Sequence, residues 1–256
     1  MNTLSWVAFT TVLRREIVRI IRIWPQTLLP TPITMLLYFC IFGYVIGHRI
    51  ESMSGVSYIQ FLVPGLMMMG IVNNAFTNVA SSLFSSKYAR FIEEMLISPM
   101  PNWSILFGFV LGGVFRAVMV ALAVFVVISC FLDIRMAHPW IVAYLCVMTA
   151  FLLSFGGFIN GMLANKFDDV AIIPTFILTP LTYLGGVFYS IDLLPPFWQV
   201  ISHFNPIFYM VNGFREAMIG LSDVSLYASV SVITGLTVLL GIAAYTMLRH
   251  RVGLKY

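Results

Sequence analysis

Charge is what this sequence has least of. Only 9% of its 256 residues are Asp, Glu, Lys or Arg, while 60% are hydrophobic. A water-facing domain carries roughly 25% charged and 45–50% apolar residues, so too few charges are present to coat a soluble surface. An ordinary soluble enzyme, a disordered chain and a nucleic-acid-binding domain are all excluded. The net charge of +4 comes from scattered basic residues rather than a patch, and it implies no nucleic-acid partner. Cysteine is scarce too. Cys40, Cys130 and Cys146 all sit in apolar runs, with no spacing of a disulfide framework or metal site. The four histidines (His48, His138, His203, His250) do not cluster as metal ligands. No Walker phosphate loop, His-Glu-x-x-His or Gly-x-Ser-x-Gly occurs.

What is present is a series of long uncharged stretches: Trp24 to Gly47, Ser52 to Ser86, Met95 to Phe115, Ala117 to Leu132, Met136 to Asn165, Val170 to Ile191 and Val224 to Leu248. A helix needs about 20 apolar residues to cross the hydrocarbon core. The sequence therefore reads as an all-α membrane protein with six transmembrane helices, near 27–47, 58–80, 104–131, 139–164, 170–190 and 226–248. Six spans put both termini on one side. That side holds Arg14, Arg15, Arg19, Arg22, Lys87, Arg90, Lys166, Arg249, Arg251 and Lys255, against Arg49, Arg135 and Arg215 on the other. Basic residues concentrate in cytoplasmic segments, so the termini are expected in the cytoplasm. No cleavable signal peptide is expected, because no short apolar core precedes the basic residues. No carboxylate lies inside a span to relay protons, which argues for an energy source in another protein.

Residues 6 to 24 have a helical period. Trp6, Phe9, Leu13, Ile17, Ile20 and Trp24 form an apolar stripe, with Arg15, Arg19 and Arg22 opposite. That pattern suits an amphipathic interfacial helix whose arginines reach anionic headgroups. Pro25 breaks it before the first span. Two readings stand: a topology anchor, or a collar that also touches a cytoplasmic partner.

The loop between spans 2 and 3 mixes Lys87, Arg90, Glu93 and Glu94 with Phe91, Ile92, Met95, Leu96 and Ile97, and closes at Pro99 and Pro101. About two helical turns would set Phe91, Ile92, Met95 and Leu96 on one side. Such a helix docks into a partner's groove, or else forms a solvated loop with a membrane-dipping edge. The segment from Pro174 to Arg215 is too apolar for an aqueous loop, yet proline and glycine interrupt it at Pro180, Gly185, Gly186, Pro195, Pro196 and Pro206. A re-entrant pair of short helices, turning at Pro195–Pro196 and Asn205–Pro206, fits it. The competing reading is an interfacial lid held by Tyr189, Trp198 and Tyr209. Arg215 and Glu216 would anchor it or pair with each other.

Arg116 lies about twelve residues into the third span. A charge at that depth costs at least ~2.5–3.5 kcal/mol, so it must face protein or water. It lines a pathway for an anionic substrate group, or it is a buried residue satisfied locally, with Asn73, Asn74, Asn78 and Asn160 as available partners. Gly108 and Gly112, like Gly157 and Gly161, are four apart, a spacing that lets helices approach within the chain or between copies.

Taken in order, Pro180–Leu181–Thr182–Tyr183–Leu184–Gly185–Gly186, then Leu194–Pro195–Pro196–Phe197–Trp198, then Asn205–Pro206–Ile207–Phe208–Tyr209 and Arg215 resemble the signature before the last span of type-2 ATP-binding-cassette (ABC) transporter permeases. The likeness to this bacterial inner-membrane family runs nearly end to end. A second match is Arg90 to Pro99; many members carry Gly-Thr before the Glu, where Phe91 and Ile92 stand nearby here. The resemblance implies an interfacial helix over 1–25, an ABC-2 transmembrane domain over 22–251, and short re-entrant helices after span 5. It also implies a coupling helix carrying Arg90, Phe91, Glu93, Glu94 and Leu96. The partners it implies are two copies of a separate ATPase subunit and a second permease copy, the same chain as a homodimer, in contact with membrane lipids. ATP and Mg2+ would act through the ATPase, with no cofactor on this chain. Family members export drugs, lipids or glycans. The rivals are a secondary transporter or channel, which needs ion-coupling or filter residues, and an intramembrane enzyme, which needs a clustered nucleophile, metal or acid–base pair.

Overall fold

A computed structural model describes residues 3–46, 55–132 and 136–254. Arg49, Arg135 and Lys255 of the charge balance, and the last residue of the first expected span, lie outside them. Among the described residues the chain is helical without strands, and six segments are long and apolar enough to cross a membrane.

The organising element is α4 (Tyr58–Tyr88), the second span, 83% of whose apolar 18-residue stretch is buried. Its 31 residues reach about 46 Å, well beyond a ~30 Å hydrocarbon core. Two long helices pack against it and against each other, α6 (Asn102–Ser129) and α7 (Pro139–Leu163). Glycine makes the approach close. A Cβ on Gly157 of α7 would stand 2.3 Å from the Phe76 carbonyl oxygen, and one on Gly161 would stand 2.9 Å from that of Ala80. The Gly157/Gly161 spacing therefore joins helices within one chain.

The second span was expected to end near 80 but continues to Tyr88. Lys87 is buried, and its Nζ donates to the carbonyls of Met162 (3.0 Å) and Ala164 (2.7 Å). A lysine that satisfies the orphan carbonyls at the end of α7 does not need to leave the helix.

Around this core lie more exposed elements. α1 (Thr3–Arg22) packs on α6; after a short turn α2 (Trp24–Thr27), the first span continues as α3 (Pro30–Cys40). The break falls at Ile23 and Pro25. The fifth span is α8 (Phe167–Ile173), a wide turn over Pro174–Leu178, and α9 (Thr179–Leu184). It begins earlier than 170 because the Asp169 carboxylate accepts the amides of Asn165 (2.9 Å) and Lys166 (3.0 Å). It stops short of 190 because Gly185 and Gly186, the latter at φ +75°, turn the chain. Pro174 has no N–H to give the Val170 carbonyl, and Asn160 Nδ2 of α7 supplies that bond at 3.0 Å. The chain then forms α5 (Phe91–Ile97) between spans 2 and 3, α10 (Pro196–His203) and α11 (Pro206–Ile219) after the fifth span, and α12 (Leu226–Arg249) as the sixth.

Candidate functional site

α5 follows α4 after a single sharp turn. Arg90 makes it in the left-handed region, φ 60°. Ile92 is buried in the body, and Met95 and Leu96 are half-buried against it. Phe91, Glu94 and Ile97 point outward, Ile97 with 85% of its surface exposed. The expected grouping of Phe91 with Leu96 on one face is corrected: Leu96 packs on the core, while Phe91 is half exposed at the rim of a hollow beside Arg15, Glu16 and Ser85. Glu93 lies half-buried between the faces. Ile97, the end of the expected helix but not among its expected coupling residues, shares the outward side with Glu94 three residues before it.

The arginines of α1 also differ from expectation. The buried line of this helix is Val12, Glu16 and Ile20, while Trp6 and Trp24 are half exposed. Cβ atoms on Gly108 and Gly112 of α6 would overlap Val12 and Glu16, so this pair too is an intrachain contact. Arg15 and Arg19 turn inward rather than toward headgroups because Glu16, 1% exposed, draws them. Arg15 Nη2 donates to Glu16 Oε1 at 3.2 Å and Arg19 Nη2 to Oε2 at 2.8 Å; the Ser82 hydroxyl donates to Oε2 at 2.7 Å. The Arg15 guanidinium lies over the Phe109 ring at 5.2 Å. Arg22 alone of the three is exposed.

Arg116 reaches the same place from α6. Its Nη1 donates to Asn78 Oδ1 at 3.4 Å, and Arg19 Nη2 donates to the same oxygen at 3.0 Å. Arg116 lines a cavity of about 400 Å³ with Thr77, Ser81, Ser85 and Phe167. The three other candidate partners lie elsewhere, with Asn160 at the Val170 carbonyl. Asn74 donates to Thr31 Oγ1 (2.9 Å) and ties α4 to α3, and Asn73 donates to the Met69 carbonyl beside a cavity on α3.

The segment after the fifth span is a pair of short helices, α10 and α11, broken at Pro195–Pro196 and Asn205–Pro206. Asn205 holds it together: its Oδ1 caps α11 at the Ile207 amide (3.0 Å), while its Nδ2 donates to the Leu181 carbonyl of α9 (2.6 Å). Ser202 Oγ donates to the Leu184 carbonyl at 3.2 Å. The loose end of α9, capped by Gly185, is thus satisfied by Ser202 and Asn205. The Tyr209 hydroxyl donates to His203, and Trp198 packs edge-on against Phe197. Arg215 is 1% exposed; its Nη2 donates to the Gly186 carbonyl at 2.6 Å, and its guanidinium lies 3.8 Å from the Phe61 ring centre. Glu216 instead accepts from Ser222 Oγ, so Arg215 anchors the segment and the two do not pair.

Residues 7–219 match the ABC-2 type transporter family. The chain belongs to that family. Over its full length, and the full length of the relative, it is 49% identical to the inner membrane transport permease YadH of Escherichia coli strain K12; the YadH of Shigella flexneri matches equally. Nodulation protein J of Neorhizobium galegae is 24% identical over 88% of this chain and 86% of its own. The ABC-2 permease described here is thus a multi-pass inner-membrane protein with a transport role, and its family implies association with an ABC ATPase. For this permease the sequence reading missed Glu16. Its signal was being the one acidic residue among the N-terminal arginines, three before Arg19.

Proposed function

We propose that this permease is the membrane subunit of an ABC exporter, moving a drug-like, lipid or glycan cargo outward with energy from ATP hydrolysed on a separate subunit. ATP and its Mg2+ act on that partner. The working unit is two permease copies with two ATPase subunits, with both permease termini in the cytoplasm and α1 along the cytoplasmic surface. The α10–α11 pair is then a re-entrant hairpin at the outer mouth.

The observation that carries this reading is the two-sided α5. Ile92 fixes the helix to the body, while Phe91, Glu94 and Ile97 stand free for a groove on a soluble partner. Closure of the ATPase pair on ATP pushes α5, and α5 moves the end of α4 to which it is joined. Cargo shifts this equilibrium only through its differential affinity for the two states.

The test is whether an ABC ATPase subunit co-purifies with the full-length permease. Ile97→Asp and Glu94→Lys should each abolish association and ATPase stimulation while thermal stability stays at the parent value, because both side chains are exposed. Full association in both variants overturns the assignment of α5. Cargo movement without any ATPase overturns coupling altogether and leaves a carrier or channel.

A further inference from the structure

Between its two ends, where α4 is not buried, it is polar. From Phe61 to Lys87 every residue is buried except Asn73, Thr77, Ser81 and Ser85. Their spacing of four places them on one face of the helix. A face left to lipid tails would carry aliphatic side chains. Here the hydroxyls of Thr77 and Ser81 donate back to the carbonyls of Asn73 and Thr77, each at 2.6 Å, and turn their remaining lone pairs outward.

The lower end of this face opens into two hollows with a common wall. Thr77, Ser81 and Ser85 line the one that holds Arg116. Ser81 and Ser85 also line a second, of about 350 Å³, with Arg15, Glu16 and Arg19. Three guanidiniums therefore face one carboxylate. Glu16 is already engaged by Arg15, Arg19 and Ser82, and Asn78 Oδ1 by Arg19 and Arg116. The Nε atoms of Arg19 and Arg116 are buried with no acceptor. The cluster holds more donors than acceptors and more positive than negative charge, in the low-dielectric setting where such a mismatch costs most. Phe84, Phe167, Val170 and Pro174 give the Arg116 hollow an apolar wall beside its charge.

We infer that the Arg116 hollow binds the anionic oxygen head of an amphiphile, a phosphate or carboxylate held by Arg116 inside it and by Arg19 from the adjoining hollow across their common wall, with its apolar part against Phe84, Phe167 and Val170. Guanidinium pairs supply the planar, charge-assisted donors that such oxygens accept. The head could be that of the cargo or of a resident membrane lipid; the recognition chemistry is the same. Only the cargo version rests on the export reading.

The test uses the full-length permease with its ATPase subunit in nanodiscs, and a fluorescent short-chain phosphatidic acid against the phosphatidylcholine of equal chain length. Phosphatidic acid should bind at least about ten-fold more tightly. Arg116→Gln and Arg19→Gln should each weaken it by about ten-fold, the loss of one charge-assisted pair. Ser85→Phe, which fills the shared wall from an exposed position, should do the same without disturbing the fold. Affinity that falls when the ATPase is trapped with ATP identifies a cargo site; affinity that stays constant identifies a resident lipid, and both support the hollow. Equal affinity for the two lipids, or unchanged binding in all three variants, overturns it. If the ATPase fails to associate while phosphatidic acid still binds and responds to Arg116→Gln, the export reading falls and the site stands. Normal coupling without that binding removes the site alone.

Discussion

Gly157→Ala and Gly235→Ala add the same methyl group to two membrane-spanning helices and should move stability in opposite directions. At Gly157 the new Cβ meets the Phe76 carbonyl oxygen at 2.3 Å and the Phe76 carbonyl carbon at 3.1 Å. Both are backbone atoms of the most buried helix, so no rotamer change relieves the overlap, and α7 must move away from α4 by most of an ångström. Overpacking of this kind costs typically 1–3 kcal/mol, and rigid backbone on one side favours the upper end. Alanine returns about 0.5–1 kcal/mol of helix preference, which leaves a net loss of about 2 kcal/mol. At Gly235 in α12 nothing lies within 4 Å, so only the gain of about 0.5–1 kcal/mol remains. For a chain of this size 1 kcal/mol moves Tm by roughly 2–4 °C. Thermal unfolding of detergent-purified protein, followed by loss of the monodisperse chromatographic peak, should show Gly157→Ala about 4–8 °C lower. Gly235→Ala should lie about 1–4 °C higher. A Gly157→Ala protein at or above the parent Tm would refute the close α4–α7 approach. An equal fall in both variants would place the cost in the methyl group itself and not in the packing.

Two further substitutions probe the joints around the core. Asn205→Ala removes both the cap of α11 and the donor to Leu181, and should cost about 2–4 kcal/mol in the same thermal assay; a change below about 0.5 kcal/mol would mean that water replaces both bonds. Arg90→Gly removes a left-handed non-glycine residue whose strain is worth roughly 1–2 kcal/mol, offset by about 0.5–1 kcal/mol of glycine flexibility. The variant should melt about 1–4 °C higher and keep its ATPase, and a fall in Tm would show that the Arg90 side chain contributes more than its backbone costs.

The spans were legible wherever lipid alone decides the sequence. α7 and α12 begin and end within a residue of the expected limits, because proline, serine or charge marks each boundary. Legibility failed where the protein buries a charge in itself. Lys87 reads as a loop residue until the carbonyls of Met162 and Ala164 are seen beside it, 75 and 77 residues away. On α1 the apolar stripe marked the face expected at the membrane interface, but not the line that packs on the glycine surface of α6, which is Val12 and the Glu16 stem. Arg15 and Arg19 follow Glu16 inward, which a periodicity based on hydrophobicity cannot show. The α10–α11 pair was legible in its breaks, since proline and Asn-Pro act locally. Its bonds to α9 span up to 24 residues and were not. The polar face of α4 was readable in principle from the spacing of Asn73, Thr77, Ser81 and Ser85. It was hidden because single hydroxyl and amide residues barely alter the apolar average of a 31-residue helix.

The Lys87 contact also divides the molecule by stiffness. It pins the end of α4 to the end of α7, where glycine contacts already hold the two helices at backbone distance. A close-packed body of this kind resists compression and passes strain along its length. The fifth span is the opposite: only 11% of it is buried, and it contains the wide turn at Pro174. Whatever presses on α5 therefore presses on the least yielding part of the protein. The displacement has to be taken up where the material is compliant, along the fifth span, with Pro174 as its bending point and the hollow that holds Arg116 directly alongside.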